Sequence, residues 1–336
     1  MTSARRLIAP TLATAWLAAQ PPTLVVRVRD EVTGRPLPNA EVVDVGTGAS
    51  RLTDARGEVR LTRSPGLRVR VRQIGFQFAE RDVPQDADTL TVVLRHVAYT
   101  LGPVVTHARV SCDSTVDTLA ARLAAPALEQ LRLGAGRYDE FRRAYPFRVT
   151  VERRTVHPDR DGTVHRVLVQ REETTSERWD EPYRPGRVVE RTSVGFSVPI
   201  LFVSALADQR FWDRHCFAAL GTESLAGRRV VRLTFTPARG VRDAEWEGVA
   251  FVDSASSLLR RVEFRLANLL EEGGSPSRLE GFITFSSPSP YVAMPESTLA
   301  LWWRDPPSHG EWGTANTLQL LHVVGLKYRK ASPPEP

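Results

Sequence analysis

Lysine is almost missing from this 336-residue sequence: Lys327 and Lys330 are the only two, so arginine carries nearly all the positive charge. A formal charge of +6 and a pI near 9.8 would ordinarily raise nucleic acid as a partner. Here the arginines are interleaved with carboxylates. Residues 23–97 hold 12 Arg against 10 Asp plus Glu, a net of +2 (12 − 10). No stretch gathers arginines with aromatics into a binding stripe, which argues against nucleic-acid binding, and the arginine excess reads as coding bias of a GC-rich genome.

Long apolar runs are lacking beyond the N-terminus. No later segment offers the ~18 uninterrupted apolar residues of a membrane helix, so no transmembrane span is expected in the mature chain.

Motifs that carry chemistry are lacking too. None of the seven histidines is followed three residues later by Glu, which removes the His-x-x-Glu half of a zinc carboxypeptidase site. Gly195-Phe-Ser197-Val-Pro199 misses the Gly-x-Ser-x-Gly elbow by one residue. No phosphate loop or Gly-x-Gly-x-x-Gly follows a strand. His157 and His165 bracket Asp159 and Asp161, but Asp-Arg-Asp-Gly162 lacks the length and closing Glu of a calcium loop and reads as a turn. A glycosidase-type carboxylate pair would come from separate strands and leaves no linear trace. No metal and no cofactor is expected.

Cysteine is scarce, with Cys112 and Cys216 only. In an exported protein an even pair reads as a disulfide, closing a loop of about 100 residues worth ~4–5 kcal/mol of chain entropy; two buried free thiols are the alternative. His215 beside Cys216 invites a Cys–His dyad, but nothing else in the chain completes one.

What is present starts with a secretory layout. Arg5 and Arg6 precede an apolar run, Leu7 to Ala19, ending in small residues and then Gln-Pro-Pro. A signal peptide over 1–20 with cleavage near Ala19 is expected, without a lipid anchor because no cysteine follows. The length suits about two domains. A hydrophobic share of 42%, with 24 Pro and 22 Gly between short apolar runs, favours strands and turns over long helices.

Residues 22–98 read as an all-β sandwich: strands at 23–29, 41–45, 58–61, 67–72 and 89–94, separated by Gly, Pro and Asp turns. The succession Thr33-Gly-Arg-Pro-Leu-Pro-Asn-Ala-Glu-Val42, Thr53-Asp-Ala-Arg-Gly57-Glu, and Ile74-Gly75-Phe76 resembles the carboxypeptidase regulatory-like (transthyretin-like) domain. That resemblance implies a non-catalytic, prealbumin-like module. Such modules accompany metallocarboxypeptidases and open TonB-dependent receptors, but the remaining 240 or so residues cannot supply both a plug and a large barrel.

After a linker over 99–110, residues 111–330 read as a helix followed by a β-rich domain, with a disordered tail at 331–336. The helix is expected over Asp113–Leu133, kinked or divided at Pro126, with a second over Tyr138–Ala144. Further strands are expected at 147–156 and 164–172 about the Pro158–Gly162 hairpin, then at 187–194, 229–236, 246–253, 258–266, 279–285, 297–303 and 318–328. Short helices are expected within 199–206 and 208–214.

Strand–Pro237, Trp246-x-Gly-x-x-x-x-Asp253 and Leu258-x-x-x-Val-Glu-Phe264 resemble the outer-membrane-lipoprotein carrier type of half-barrel (LolA/LolB-like). The resemblance implies a curved sheet around an apolar cavity, with Phe235, Trp246, Phe251, Phe264, Phe282, Phe285, Trp302 and Trp303 as candidate lining. The bland alternative is that these aromatics simply fill a core.

The expectation is therefore a mainly β protein, a prealbumin-like sandwich plus a β-rich α+β half-barrel. It is expected to be non-catalytic and exported, in the periplasm, outside the cell or associated with the outer membrane, binding or scaffolding an envelope partner. The alternatives are a carrier of an acyl chain or other apolar ligand, and an enzyme of unrecognised class.

Overall fold

The structure is a computed structural model that describes residues 23–97, 108–109, 118–158, 164–179, 182–192, 195–198, 201, 203–269, 276–289, 292–304, 317–330 and 332–333. The expected signal peptide, most of the expected linker, Cys112, Asp159, Asp161 and most of the expected tail lie outside the described residues.

Seven strands make the first layer pair: β1 (Thr23–Asp30), β2 (Glu41–Asp44), β3 (Ser50–Leu52), β4 (Glu58–Thr62), β5 (Arg68–Arg72), β6 (Ala79–Asp82) and β7 (Thr89–Leu94). Period-2 alternation decides which face is buried. In β1, Leu24, Val26 and Val28 are buried while Thr23, Arg27 and Arg29 stay in solvent. β1 pairs antiparallel with β4 and parallel with β7; the facing sheet runs β3-β2-β5-β6. Val42, Val59, Leu61, Val69, Val71, Val92 and Leu94 meet the β1 valines between the sheets. The Asp54 turn shows why glycine stands at 57. The Asp54 side chain accepts from the N–H groups of Arg56 and Glu58, both at 2.9 Å. Gly57 has φ +70°, and a Cβ there would lie 2.7 Å from the Val28 carbonyl oxygen.

The rest of the chain forms β8 (Ala108–Arg109), α1 (Thr118–Ala144), β9 (Phe147–Pro158), β10 (Val164–Thr175), the single turn α2 (Ser176–Trp179), β11 (Glu190–Thr192), β12 (Gly195–Ser197), a 3-10 turn at Val203–Ala207 and α3 (Gln209–Arg214). Then come β13 (His215–Leu225), β14 (Arg228–Pro237), β15 (Glu245–Asp253), β16 (Leu259–Ala267), β17 (Pro276–Ser286), β18 (Met294–Arg304) and β19 (Thr317–Tyr328). Ten of these strands form one sheet in the order β10-β9-β19-β18-β17-β16-β15-β14-β13-β8, antiparallel at every pairing. The fold is mainly β, with α1 and its neighbours on one face of the large sheet.

Two expectations are corrected. The helix does not divide at Pro126; α1 runs unbroken through it. A helix-interior proline costs about 3 kcal/mol. Downstream, Leu128, Leu131, Tyr138 and Phe141 are buried against the sheet, and each is worth about 1.5–3 kcal/mol, so packing outweighs the lost ladder bond. The strand expected at 187–194 is only β11, paired with β12 as a separate hairpin outside the large sheet. The helix expected at 208–214 forms as α3, its N-cap Asp208 accepting from the Arg210 N–H at 2.8 Å.

Candidate functional site

The large sheet presents one face to α1, and cross-strand rows describe that face from one end to the other. One row runs Phe235, Gly248, Phe264, Gly281, Ala300, Gln319, Thr155, Leu168, each residue opposite the next on the neighbouring strand. Large and small residues alternate at its start for a packing reason. A Cβ on Gly248 would lie 2.7 Å from Cζ of Phe235, and one on Gly281 would lie 2.9 Å from Cζ of Phe264. Each phenyl ring therefore lies across the glycine of the next strand. Exposure grades along this row: Phe235 is 0% exposed, Ala300 1%, Gln319 and Thr155 half-buried, and Leu168 39% exposed.

The β14–β17 end of the face is filled core, which also takes in Phe147, Val149 and Val151 on β9, and the face opens only toward the Arg153–His157 half of β9 and β10. At that open end Trp302 and Leu321 pack at the margin of the core. The indole N–H of Trp302 and the Nε–H of Arg153 are buried and have no hydrogen-bond partner among the described residues. Another Arg153 nitrogen lies 3.5 Å from the Glu172 carboxylate. Trp302 stands opposite Thr317 and Arg153 opposite Leu321, so the two donors mark separate points along the face, each beside apolar side chains and open to an acceptor.

The expected lining residues divide accordingly. Phe235, Trp246, Phe264 and Phe285 are buried in the core on the α1 side, with Trp246 edge-on to Phe264 at 5.2 Å. Trp302 belongs to the open end. Phe251 and Phe282 do not line that face. Phe251 pairs with Arg232 and Phe282 with Glu263, one step out of phase with the inward residues, so alternation turns them to the opposite face. There the Arg261 guanidinium sits 4.0 Å from the Phe282 ring centroid. The Trp303 side chain lies outside those described. An arginine in a strand carries no motif, so only its register beside Leu321 marks Arg153.

The Cys–His idea meets a different geometry. His215 is buried, Nδ1 lying 2.7 Å from the Phe211 carbonyl and Nε2 2.8 Å from the Trp246 carbonyl, with Glu245 at 3.9 Å. Carbonyls only accept, so both contacts are hydrogen bonds only in the imidazolium form. Burial nevertheless pulls the pKa down, against the opposing pull of the carbonyls and Glu245. Glu245 also accepts from the Tyr183 hydroxyl at 2.6 Å and from Arg214 at 3.3 Å. This cluster ties α3 to β15, and the imidazole faces backbone rather than a thiol. Cys216 is buried on β13. Its expected partner Cys112 lies outside the described residues. His157 Nδ1 lies 3.2 Å from the Thr317 hydroxyl, and no metal-binding group of His, Cys, Asp and Glu occurs among the described residues.

A second polar cluster joins the sandwich to α1. The Gln73–Phe76 corner leaves β5 and meets α1. Gln130 accepts from the Gly75 N–H at 2.7 Å and donates to the Phe76 carbonyl at 3.1 Å. Arg137, with no exposed side-chain surface, donates to Gln73 Oε1 at 3.2 Å and lies 3.2 Å from Glu140. Glu41 on β2 is buried and pairs with Arg72 at 2.5 Å. Burial pushes the Glu140 carboxyl up to about 7. The nearby charge of Glu41 and a hydrogen bond to it push the same way, while Arg137 and Arg72 oppose.

A carboxyl whose pKa is raised in the folded state stabilises that state fully below its ordinary value near 4.5. The contribution fades as pH rises through about 7. His215, with a lowered pKa, acts in the opposite sense, losing stability on acidification. The difference between wild type and Glu140→Gln therefore isolates the carboxyl. The two proteins should melt alike at pH 4, and the variant should be the more stable at pH 8, by at most about 3 kcal/mol. Equal differences at both pH values would contradict the assignment.

No family model matches the chain, and no curated protein matches it. Solved structures with similar layouts include a DUF1329 family protein from Desulfovibrio piger, at 13% identity and TM-score 0.33, covering 60% of this chain and 93% of that one. A LolA superfamily protein from Nitrosomonas europaea matches at 16% identity and TM-score 0.32, covering 62% and 94% respectively. At scores this low the likenesses decide nothing about what this chain binds. No helix of the described residues is long and apolar enough to cross a membrane.

Proposed function

We propose that the protein is an exported, non-catalytic binding protein that carries an amphipathic molecule, an acyl chain or similar apolar body with an acidic or other acceptor head. The open end of the α1-side face holds the ligand. One observation carries the reading: the unspent donors of Trp302 and Arg153 stand where that face grades from filled core to solvent. The Arg153 guanidinium already faces Glu172, and its unpartnered Nε–H is what remains for a carboxylate or phosphate head. The sandwich is read as a carboxypeptidase regulatory-like module that docks through its Gln73–Phe76 corner.

The disulfide Cys112–Cys216 belongs to the same proposal. An even pair of cysteines in an exported chain supports it, and no free cysteine occurs among the described residues.

Native mass spectrometry of the mature protein tests both parts. Added mass that leaves on denaturation as lipid is expected, over a chain two hydrogens lighter than the reduced form. With oleate as the probe, Arg153→Met should weaken binding about tenfold, the loss of one charge-assisted hydrogen bond. No lipid mass and no oleate binding would overturn the carrier.

A further inference from the structure

Among the described residues the large sheet ends on β10, and this edge is unlike most. A free edge strand exposes a row of unpaired N–H and C=O groups, and proteins blunt such edges by shortness, lysine or proline. The opposite edge follows that rule, since β8 has two residues. β10 has 12 residues with neither lysine nor proline. Val167 and Val169 are each 53% exposed and Leu168 39%, three consecutive apolar residues at its middle. The outer face behind it is apolar as well: Val167 pairs with Val156, Val156 with Leu318, and Leu318 with Leu301.

We propose that β10 is a self-association strand: two copies of this chain join edge to edge through antiparallel β10 strands, with a two-fold axis at Val169. The charge sequence selects the occupant and the register. About Val169, Arg166 stands opposite the partner's Glu172 and Val167 opposite the partner's Arg171, at positions read from the strand sequence. Shifting the axis to Leu168 sets Arg166 against Gln170 and Val164 against Glu172, and shifting it to Gln170 sets Val167 against Glu173, Leu168 against Glu172 and Val169 against Arg171. Of the three, only the Val169 axis sets opposite charges against each other, at both ends, where Glu172 also lies 3.5 Å from Arg153 of its own chain. The pairing also supplies acceptors and donors to the open backbone row and continues the apolar strip across the axis.

Sedimentation of the full mature chain tests the proposal, with charge reversal as the probe of register. Wild type should show a reversible dimer. Arg166→Glu and Glu172→Arg should each associate at least about tenfold more weakly, because each sets like charges opposite each other twice. An equimolar mixture of the two variants should regain the dimer, since both cross-strand pairs are then opposite in sign.

Cysteine placement tests the axis independently of charge. Val169→Cys should cross-link to its copy on oxidation, because facing Cα atoms at the axis lie within the roughly 4.4–6.8 Å a disulfide spans. Val167→Cys should not, being offset from its copy by about 13 Å along the strands. A monomeric wild type across the concentration range, a dimer indifferent to both reversals, or cross-linking at 167 rather than 169 would each overturn it.

Discussion

Arg137→Met is expected to destabilise the protein by about 3–5 kcal/mol at pH 8, the usual loss when one member of a buried ionic cluster is removed and its partners stay. The guanidinium is fully buried between α1 and the sandwich, and it is the cation of a site that also holds Glu140, Glu41 and the Gln73 carbonyl group. Without it, Glu41 and Glu140 face each other with Arg72 alone to offset them, and Gln73 loses a donor. Part of the loss should return at pH 5, where Glu140 holds its proton in either protein. Arg137→Lys should not rescue: an ammonium lacks the planar fork that serves Gln73 and Glu140 together. Thermal melts at the two pH values measure the cost, and hydrogen exchange at the Gly75 amide, bonded to Gln130, reports whether the joint opens. A variant as stable as wild type at pH 8 would show that the cluster contributes nothing to holding the sandwich against α1.

Gly248→Ala should cost about 3 kcal/mol or more, the upper part of the overpacking range. The added methyl would collide with two things: the Phe235 ring at 2.7 Å and, closer still, the backbone carbonyl of Glu263 on the neighbouring strand. The ring is the end of a side chain and can turn. The carbonyl belongs to the ladder between β15 and β16 and cannot move without breaking it. Adding Phe235→Leu to Gly248→Ala should therefore recover only part of the loss, and Gly281→Ala should behave alike through Phe264 and the Leu299 carbonyl. Denaturant midpoints of the single and double variants decide this; full rescue by Phe235→Leu would mean that the ring alone is the obstacle.

These two predictions rest on features of unequal visibility in the sequence. Trp246-x-Gly248 stands out as a pattern, and aromatic residues in strands read as core, which Phe235, Trp246, Phe264 and Phe285 are. Phe251 and Phe282 carry the same residue type yet face the other way. Alternation gives Phe251 that side once the inward residues of β15 are known, and on β16 a bulge at Arg260 shifts the count between Leu259 and Val262. Arg137 and Glu140 sit in a stretch that reads as an ordinary amphipathic helix. Nothing local marks them as buried, because the surface that buries them comes from residues 41 and 72–76.

By itself the sequence determined the class of the fold, through alternation in short runs, turn chemistry such as Asp54 to Gly57, and the cap at Asp208. All of these act within a few residues. Tertiary structure alone decided three matters: that α1 passes through Pro126, that the face beneath it closes at β14–β17 and opens toward β10, and that a buried ionic cluster ties the sandwich to the helix. Each depends on partners dozens to hundreds of residues apart. Burial, register and desolvation are properties of that assembled neighbourhood and are written in no single stretch of chain.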